Sequence, residues 1–437
     1  MPRKERNDVG HHDRSGRTGD AAGLHSLGVP IAASMAIVGT LFTLFLTFDT
    51  SVFSIFGVAT VQSLSSQELL IIPLFILMGG FSIIAGMSSE IYRLAHAWVG
   101  HLRGGLALTT VGSSAAFGAI CGSSVATTAT MVQIALPEMR RRGYSDSLIA
   151  GSIAGGGTLG SLIPPSVVMV VYAILTQQSV LSLFRAAIVP AIVAVLFYAI
   201  AVRVFIAVHG DTSETLAPAT WRERAKATGQ ARLTMLVGVI MLGGIYSGIF
   251  TVNEGAAVGV ALVFATCIVR ARLTRSNFID TLKKAASNVA MIYLILIGAE
   301  IYKSFLTLSG LPEAAIAWVG GMGLPREAVL IIVVLLYIGL GCVFDAMAAM
   351  ILTMPFIYPL IVGQLHYDPI WWGIMNVMII EIGMITPPVG INLFVLNGIQ
   401  KDLKLRDIYR GASFFIAADV LRIIFFLLFP GLVLLFV

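Results

Sequence analysis

Charge is scarce in this chain. Asp, Glu, Lys and Arg make up 12% of its 437 residues, against 57% hydrophobic residues and a mean hydropathy of +0.91. Many windows of 18 or more residues carry no charge, which excludes a soluble fold and predicts a polytopic helical membrane protein. Cysteine is scarcer still. Cys121, Cys267 and Cys342 stand apart in apolar surroundings, without CxxC or Cys/His spacing, so neither a disulfide set nor a metal site is expected. The first 25 residues are polar and lack the apolar core of a cleavable signal peptide. There is no HExxH, no Walker loop and no nucleophile–base set, which argues against an enzyme and against a self-contained ATP-driven pump. The net charge of +5 is too small to suggest nucleic acid.

What the chain does have is an apolar stretch broken by small and polar residues. Gly118 to Ser166 is interrupted at Gly122-Ser123-Ser124, and again between Gly155-Gly156-Gly157-Thr158 and Pro164-Pro165-Ser166. Backbone freed at such breaks cannot face lipid, where nothing satisfies its N–H and C=O groups. It must line a cavity inside the protein, where a solute or ion can bind.

The pattern returns 223 positions later without a gap. Gly118 falls on Gly341, Thr130-Met131 on Thr353-Met354, Tyr144 on Tyr367, Gly160 on Gly383, and Pro164-Pro165 on Pro387-Pro388. A long internal repeat in a membrane chain points to duplicated halves with the site between them.

In chain order, 1–26 is a basic polar tail, and Leu27 to Phe48 a span. Residues 49–66 read as a loop with a short apolar piece, and Glu68 to Met87 as a span. Glu90 to Arg103 suits a helix lying in the interface. Residues 105–139 read as a re-entrant hairpin with its tip at Gly122–Ser124. Residues 145–176 form a helix broken at Gly155–Pro165, and Leu183 to Val208 crosses back, completing a first membrane repeat at 27–208. Residues 209–230 are a polar linker. The second repeat, 231–437, has spans at Ala231–Phe250 and Glu254–Val269, a basic amphipathic arm at Arg270–Ala285, and a span at Ala286–Leu308. A loop at 310–325 follows, then a hairpin at 324–363 with its tip at Phe344-Asp345-Ala346, a broken helix at 368–399, and a last span from Ala412.

With the N-terminus in the cytoplasm and crossings alternating, all 28 Lys and Arg but Arg185, Lys303, Arg326 and Arg422 fall in cytoplasmic segments. The positive-inside rule favours that orientation. The two hairpins then enter from opposite sides, as an inverted repeat requires.

The candidate site residues follow from the breaks. Hydroxyl side chains and freed carbonyls are hard oxygen ligands for a cation, and nearby helix N-termini favour a carboxylate. The substrate-binding set is Ser123, Ser124, Thr158, Pro165, Ser166, Thr386, Pro388 and Asn392. The sodium-ligand set is Gly122, Ser124, Gly155, Gly156, Gly157, Asp345, Glu381, Gly383 and Thr386. Asp345 and Glu381 are acidic residues in apolar segments, which reads as cation binding or proton carriage. The alternatives are that Asp345 caps a helix and Glu381 pairs with a neighbour. Thr127, Thr128 and Thr130 can simply hydrogen-bond their own helix. Asp419 with Arg422, and Glu300 with Lys303, are spaced to pair at i, i+3.

These residues in combination resemble the large membrane subunit of the tripartite ATP-independent periplasmic (TRAP) transporters. The matching pieces are LGVPIA at 27–32, IPLFILMGG at 72–80, GHLRGGLA at 100–107 and GSSVATTATM at 122–131. They continue with GYSDSLIAGSIAGGGTLGSLIPPS at 143–166, TVNEGAAV at 251–258 and ITPPVGINLFV at 385–395. The resemblance implies an all-α polytopic fold of two inverted repeats, an elevator-type transporter of the bacterial inner membrane. It implies sodium as coupling ion with no other cofactor, a separate small four-helix membrane subunit, and a periplasmic binding protein that delivers an organic acid such as a dicarboxylate. It places family sites on Ser123, Ser124, Gly155–Gly157, Asp345, Glu381 and Thr386. One departure stands out: the repeat partner of Ala231–Phe250 falls on the polar region near residues 8–27. Two other readings are a stand-alone sodium-coupled anion symporter of related fold and a non-transporting membrane scaffold.

Overall fold

The computed structural model describes residues 31–47, 52–210 and 217–437, so the basic tail and the first residues of the leading span lie outside it. Every regular element among the described residues is helical. The first repeat runs α1 (Ile31–Thr47), α2 (Val52–Ser65), α3 (Ile71–Ala85), α4 (Met87–Val99), α5 (Gly105–Cys121), α6 (Ser124–Arg141), α7 (Asp146–Leu162), α8 (Val167–Thr176), α9 (Val180–Ala186) and α10 (Ile188–His209). Next comes α11 (Trp221–Gln230). The second repeat runs α12 (Arg232–Tyr246), α13 (Val252–Val269), α14 (Arg275–Ser309), α15 (Leu311–Gly321), α16 (Arg326–Val343), α17 (Ala346–Tyr358), α18 (Pro369–Met384), α19 (Ile391–Ile399) and α20 (Leu405–Leu428). Among the described residues eight helical segments are long and apolar enough to cross a membrane, or nine if the bent pair α11–α12 counts as one.

Small polar residues start many of these helices. Ser123, Ser145, Ser166 and Ser179 accept N–H bonds at the heads of α6, α7, α8 and α9. In the TVNE stretch, Thr251 and Glu254 form a reciprocal capping box that opens α13. Asp368 caps α18 at the position equivalent to Ser145.

The packing obeys the 223-residue register. α1 lies on α14 as α3 lies on α13; α5 on α7 as α16 on α18; and α6 on α19 as α17 on α8. Backbone contact makes the α5–α7 and α16–α18 crossings close. A Cβ on Gly118 would meet Gly160 Cα at 2.6 Å, and one on Gly383 would meet Gly341 Cα at 2.5 Å. These are the glycine pairs that the sequence register superposes. Both Pro-Pro bonds, Pro164-Pro165 and Pro387-Pro388, are cis.

Two groups of helices result. One holds α1, α2, α3, α12, α13 and α14; the other holds α5 to α10 and α16 to α20, centred on the buried α7 and α18. The basic segments gather at one end. Arg140 binds Asp146 at 3.0 Å and also Asp402; Arg270 binds Glu90 at 2.8 Å; Arg410 donates to His209 at 3.1 Å.

Several sequence boundaries are corrected. Residues 49–66 hold the helix α2 rather than a loop, and 310–325 hold α15. The arm and the span at 270–308 are a single 35-residue helix, α14. The 209–230 linker contains α11, opened by a Thr220–Glu223 capping box. The first broken helix is intact through Gly155–Gly157, and its break is confined to Ile163–Ser166.

Candidate functional site

The α5–α6 hairpin turns at Gly122, whose φ of +65° suits glycine, and a Cβ there would come within 2.8 Å of the Pro165 carbonyl. Ser123 then caps α6 through Ala126 N at 3.4 Å. The α16–α17 hairpin turns at Phe344-Asp345, and Asp345 caps α17 through Met347 N at 3.1 Å. Each tip is tied to a helix break. Val167 N donates to Gly122 O at 3.4 Å, and its repeat equivalent, Gly390 N, donates to Cys342 O at 3.0 Å.

Both tips open into one cavity of about 620 Å³. Gly122, Ser123, Ser124, Ser161, Asp345 and Glu381 line one wall. The other wall is α3, with Gly79 and Gly80, and the polar side of α14, with Asn277, Asp280, Thr281, Lys284 and Asn288. The cavity follows α14 toward the basic end of the fold. The two hairpins meet here at their tips.

Glu381 is 1% exposed; the Ser124 and Ser161 hydroxyls stand beside its carboxylate, but neither oxygen has a partner at full hydrogen-bond geometry. A buried carboxylate supported so weakly is costly, and a ligand or a proton would satisfy it. Asn392 donates to Ser124 Oγ at 2.7 Å and keeps its own carbonyl oxygen unpartnered. Thr127 and Thr128 hydroxyls are buried and unpartnered beside Gly160 and Gly157, whereas Thr130 bonds back to Ala126 O at 2.7 Å. Ser161 accepts from Ser124 N at 3.1 Å, and its hydroxyl stands beside the Glu381 carboxylate.

Other candidates lie elsewhere. Gly155, Gly156 and Gly157 are inside α7, packed on Phe415, Ser114 and Thr128, so their carbonyls are not freed by the break. Thr158 faces away from the cavity and bonds Gly155 O and the Tyr198 hydroxyl, both at 2.7 Å. Tyr198 donates to Asp419 at 2.7 Å, and Asp419 binds Arg422 at 2.8 Å, making a buried polar chain across α7, α10 and α20. Gly383 is consumed by its crossing with Gly341. Thr386 donates to Ile382 O at 2.7 Å, and Pro388 is exposed with its carbonyl bound by Tyr409 at 2.8 Å. Pro165 and Ser166 are buried behind the first tip. Among the described residues no three His, Cys, Asp or Glu side chains cluster as metal ligands.

The sequence reading missed Ser161 and the polar face of α14. Ser161 is three residues after Thr158 and faces the cavity where Thr158 does not. The 275–288 stretch looks like an interface helix, because its polar side faces a water-accessible cavity instead of the headgroups.

Paired hairpins, paired helix breaks and a shared cavity define an all-α membrane protein of two inverted repeats. Its fold matches the Alcanivorax borkumensis YdaH transporter, described as having an unusual topology, with a TM-score of 0.59, 13% identity, and coverage of 92% of this chain and 98% of that one. The model of the tripartite ATP-independent periplasmic transporter DctM component matches residues 20–432, and the chain belongs to that family. It is 36% identical over 411 residues to the C4-dicarboxylate TRAP transporter large permease DctM of Vibrio cholerae, covering 89% of this chain and 90% of that one. The sialic acid large permease SiaM of the same organism is 30% identical, with the same coverage. The ectoine/5-hydroxyectoine large permease UehC of Ruegeria pomeroyi is 28% identical, covering 80% and 81%. These relatives are transporters rather than enzymes, and their substrates differ.

Proposed function

We infer that the chain imports an organic acid, such as a dicarboxylate, driven by sodium. A periplasmic binding protein delivers the solute, and a small four-helix membrane subunit braces the α1–α3 and α12–α14 group. The protein sits in the bacterial inner membrane with its N-terminus and basic end in the cytoplasm. The observation that carries this reading is the cavity between the two helix groups, into which both tips and the buried carboxylate of Glu381 open. Sodium is a hard cation that fits Ser123, Ser124, Asp345 and Glu381 oxygens. Cations offset the cost of placing an organic anion in a low-dielectric cavity. Movement of the α5–α10 and α16–α20 group against the other would carry the cavity across, the elevator reading. Family large permeases work with a small subunit and a binding protein.

The test is uptake into vesicles containing the permease and both partners. An inward sodium gradient should drive uptake, and a proton gradient without sodium should not. Uptake that needs no binding protein would favour the stand-alone symporter. Single-cysteine labelling from outside intact cells should reach a cysteine near Gly310 and miss one in the 209–230 linker; labelling of the linker would reverse the orientation.

A further inference from the structure

At the basic end, α4, α12 and the close of α13 surround a second cavity, of about 380 Å³. Arg93, Arg232 and Arg270 line it with Glu90. The charges do not cancel. Glu90 is fully engaged: Arg270 holds its Oε1 at 2.8 Å, while Arg270 and Thr234 donate to Oε2 at 2.9 and 2.8 Å. Among the described residues Arg93 spends only its Nε, on Ser89 O at 3.3 Å, and the Arg232 side chain makes no hydrogen bond. Neither has a carboxylate partner among the described residues. Two uncompensated guanidinium groups therefore face one open concavity. That arrangement matches a phosphate, which takes such donors in forked pairs.

The cavity's level points to the source of that phosphate. Arg232 begins one apolar span and Arg270 follows the last residue of another, so the cavity lies where apolar helices leave the bilayer. Beside it Trp98 and Trp221, 46% and 75% exposed, meet edge to face at 6.3 Å, with Arg224 over both rings. Exposed tryptophans at this level are an interfacial belt. We propose that Arg93 and Arg232 form a binding site for the phosphate of an anionic phospholipid, at the junction of α4 with α12 and α13.

The experiment strips the purified full-length chain of lipid and offers it bilayer discs of phosphatidylcholine with a minority of phosphatidylglycerol. The lipid retained after extraction is then counted by native mass spectrometry. The intact chain should hold phosphatidylglycerol in preference to phosphatidylcholine. The double variant Arg93→Gln/Arg232→Gln should lose that preference by on the order of twentyfold, about fivefold per arginine. Arg93→Lys/Arg232→Lys should keep most of it, which separates charge from misfolding, and Arg326→Gln at the opposite end should change nothing. Equal retention by the intact chain and the Gln variant would overturn the site. Displacement of the lipid by millimolar inorganic phosphate would make it a free-phosphate site instead. Displacement by the small membrane subunit would make it a protein contact, and either result overturns the lipid reading.

Discussion

Position 158 in the first repeat is a threonine; its equivalent in the second, 381, is a glutamate. Gly155-Gly156-Gly157 stand where the second repeat has Met378-Ile379-Ile380, and Ser124, Thr127 and Thr128 where it has Met347, Met350 and Ile351. The backbones agree down to the glycine crossings, and both breaks are tied to their hairpins, at Gly122 in the first repeat and at Cys342, three residues before the equivalent Asp345, in the second. The side chains diverge. The first repeat uses small residues and hydroxyls, which let α6 and α7 approach closely and leave Thr127 and Thr128 without partners. The second fills the same crossing with aliphatic bulk and concentrates its polarity in Asp345, Glu381 and Asn392. Shape is common to the halves, and charge is not. A duplicated scaffold can specialise its two sites in this way without altering the helix crossings that hold them.

The largest effect should come from the shared geometry. Gly383→Val pushes a side chain into the Gly341 backbone and Gly160→Val into the Thr127 hydroxyl and the Ser123 carbonyl, and overpacking a tight contact costs about 1–3 kcal/mol, more when backbone must move. Both should cut membrane abundance to a similar degree, while Gly339→Ala, in open space, should not. A loss confined to one repeat would break the structural equivalence.

The next effect tests an inequality. Arg422 is 1% exposed beside Asp419, and its repeat equivalent is Ala199. Removing one member of a buried ion pair costs roughly 3–5 kcal/mol. Arg422→Met should therefore lower the thermal midpoint strongly, and Asp419→Asn/Arg422→Met should recover part of the loss. No recovery would mean that the ion pair is not the source of the cost.

Function gives the third. Ser123→Ala/Ser124→Ala should abolish sodium-dependent uptake at near-normal abundance. Asp345→Asn should weaken apparent sodium affinity more than Ser124→Ala alone, because only the second tip carries a charge. Asn also caps helices well. An unshifted sodium curve for Asp345→Asn would thus leave Asp345 as a cap and restore chemical parity between the tips.

The smallest effect concerns the basic end. Arg140 holds the exit of the first hairpin to Asp146 and Asp402, whereas its equivalent, Gly363, lies in a π-helical turn. The hydrogen bond from Arg140 holds the Asp402 carboxyl below its ordinary pKa. A lowered folded-state pKa stabilises above the unfolded value, and the benefit fades as pH falls through the folded value. Asp402→Asn should lower the thermal midpoint slightly at neutral pH, and the difference should vanish in acid below the usual carboxylate range. A difference that persists there would assign the effect to packing.

Much of this was legible because the repeat is ungapped. The Pro-Pro pairs, the paired glycines and the two tips all appear in one register, and they locate the hairpins and breaks. The misses come from reading segments one at a time. The register carries α4 onto 310–322, where α15 lies, and α2 onto 275–288, the first part of α14, so both overlooked helices had visible counterparts. The Gly155–Gly157 run misled for a different reason. Glycine lowers helix propensity but also permits close packing, and burial against Phe415, Ser114 and Thr128 decides for the helix. Glu381 was flagged by its charge in an apolar run, but which way Thr158 and Ser161 face depends on the neighbours of α7.

The exchange of partners between repeats has a mechanical consequence. α6, which starts at the first tip, rests on α19, and α17, which starts at the second, rests on α8; Asn392 reaches across to Ser124. The tips are thus interlocked, each braced by the other half's broken helix. Neither tip can shift without loading the strut that supports its counterpart.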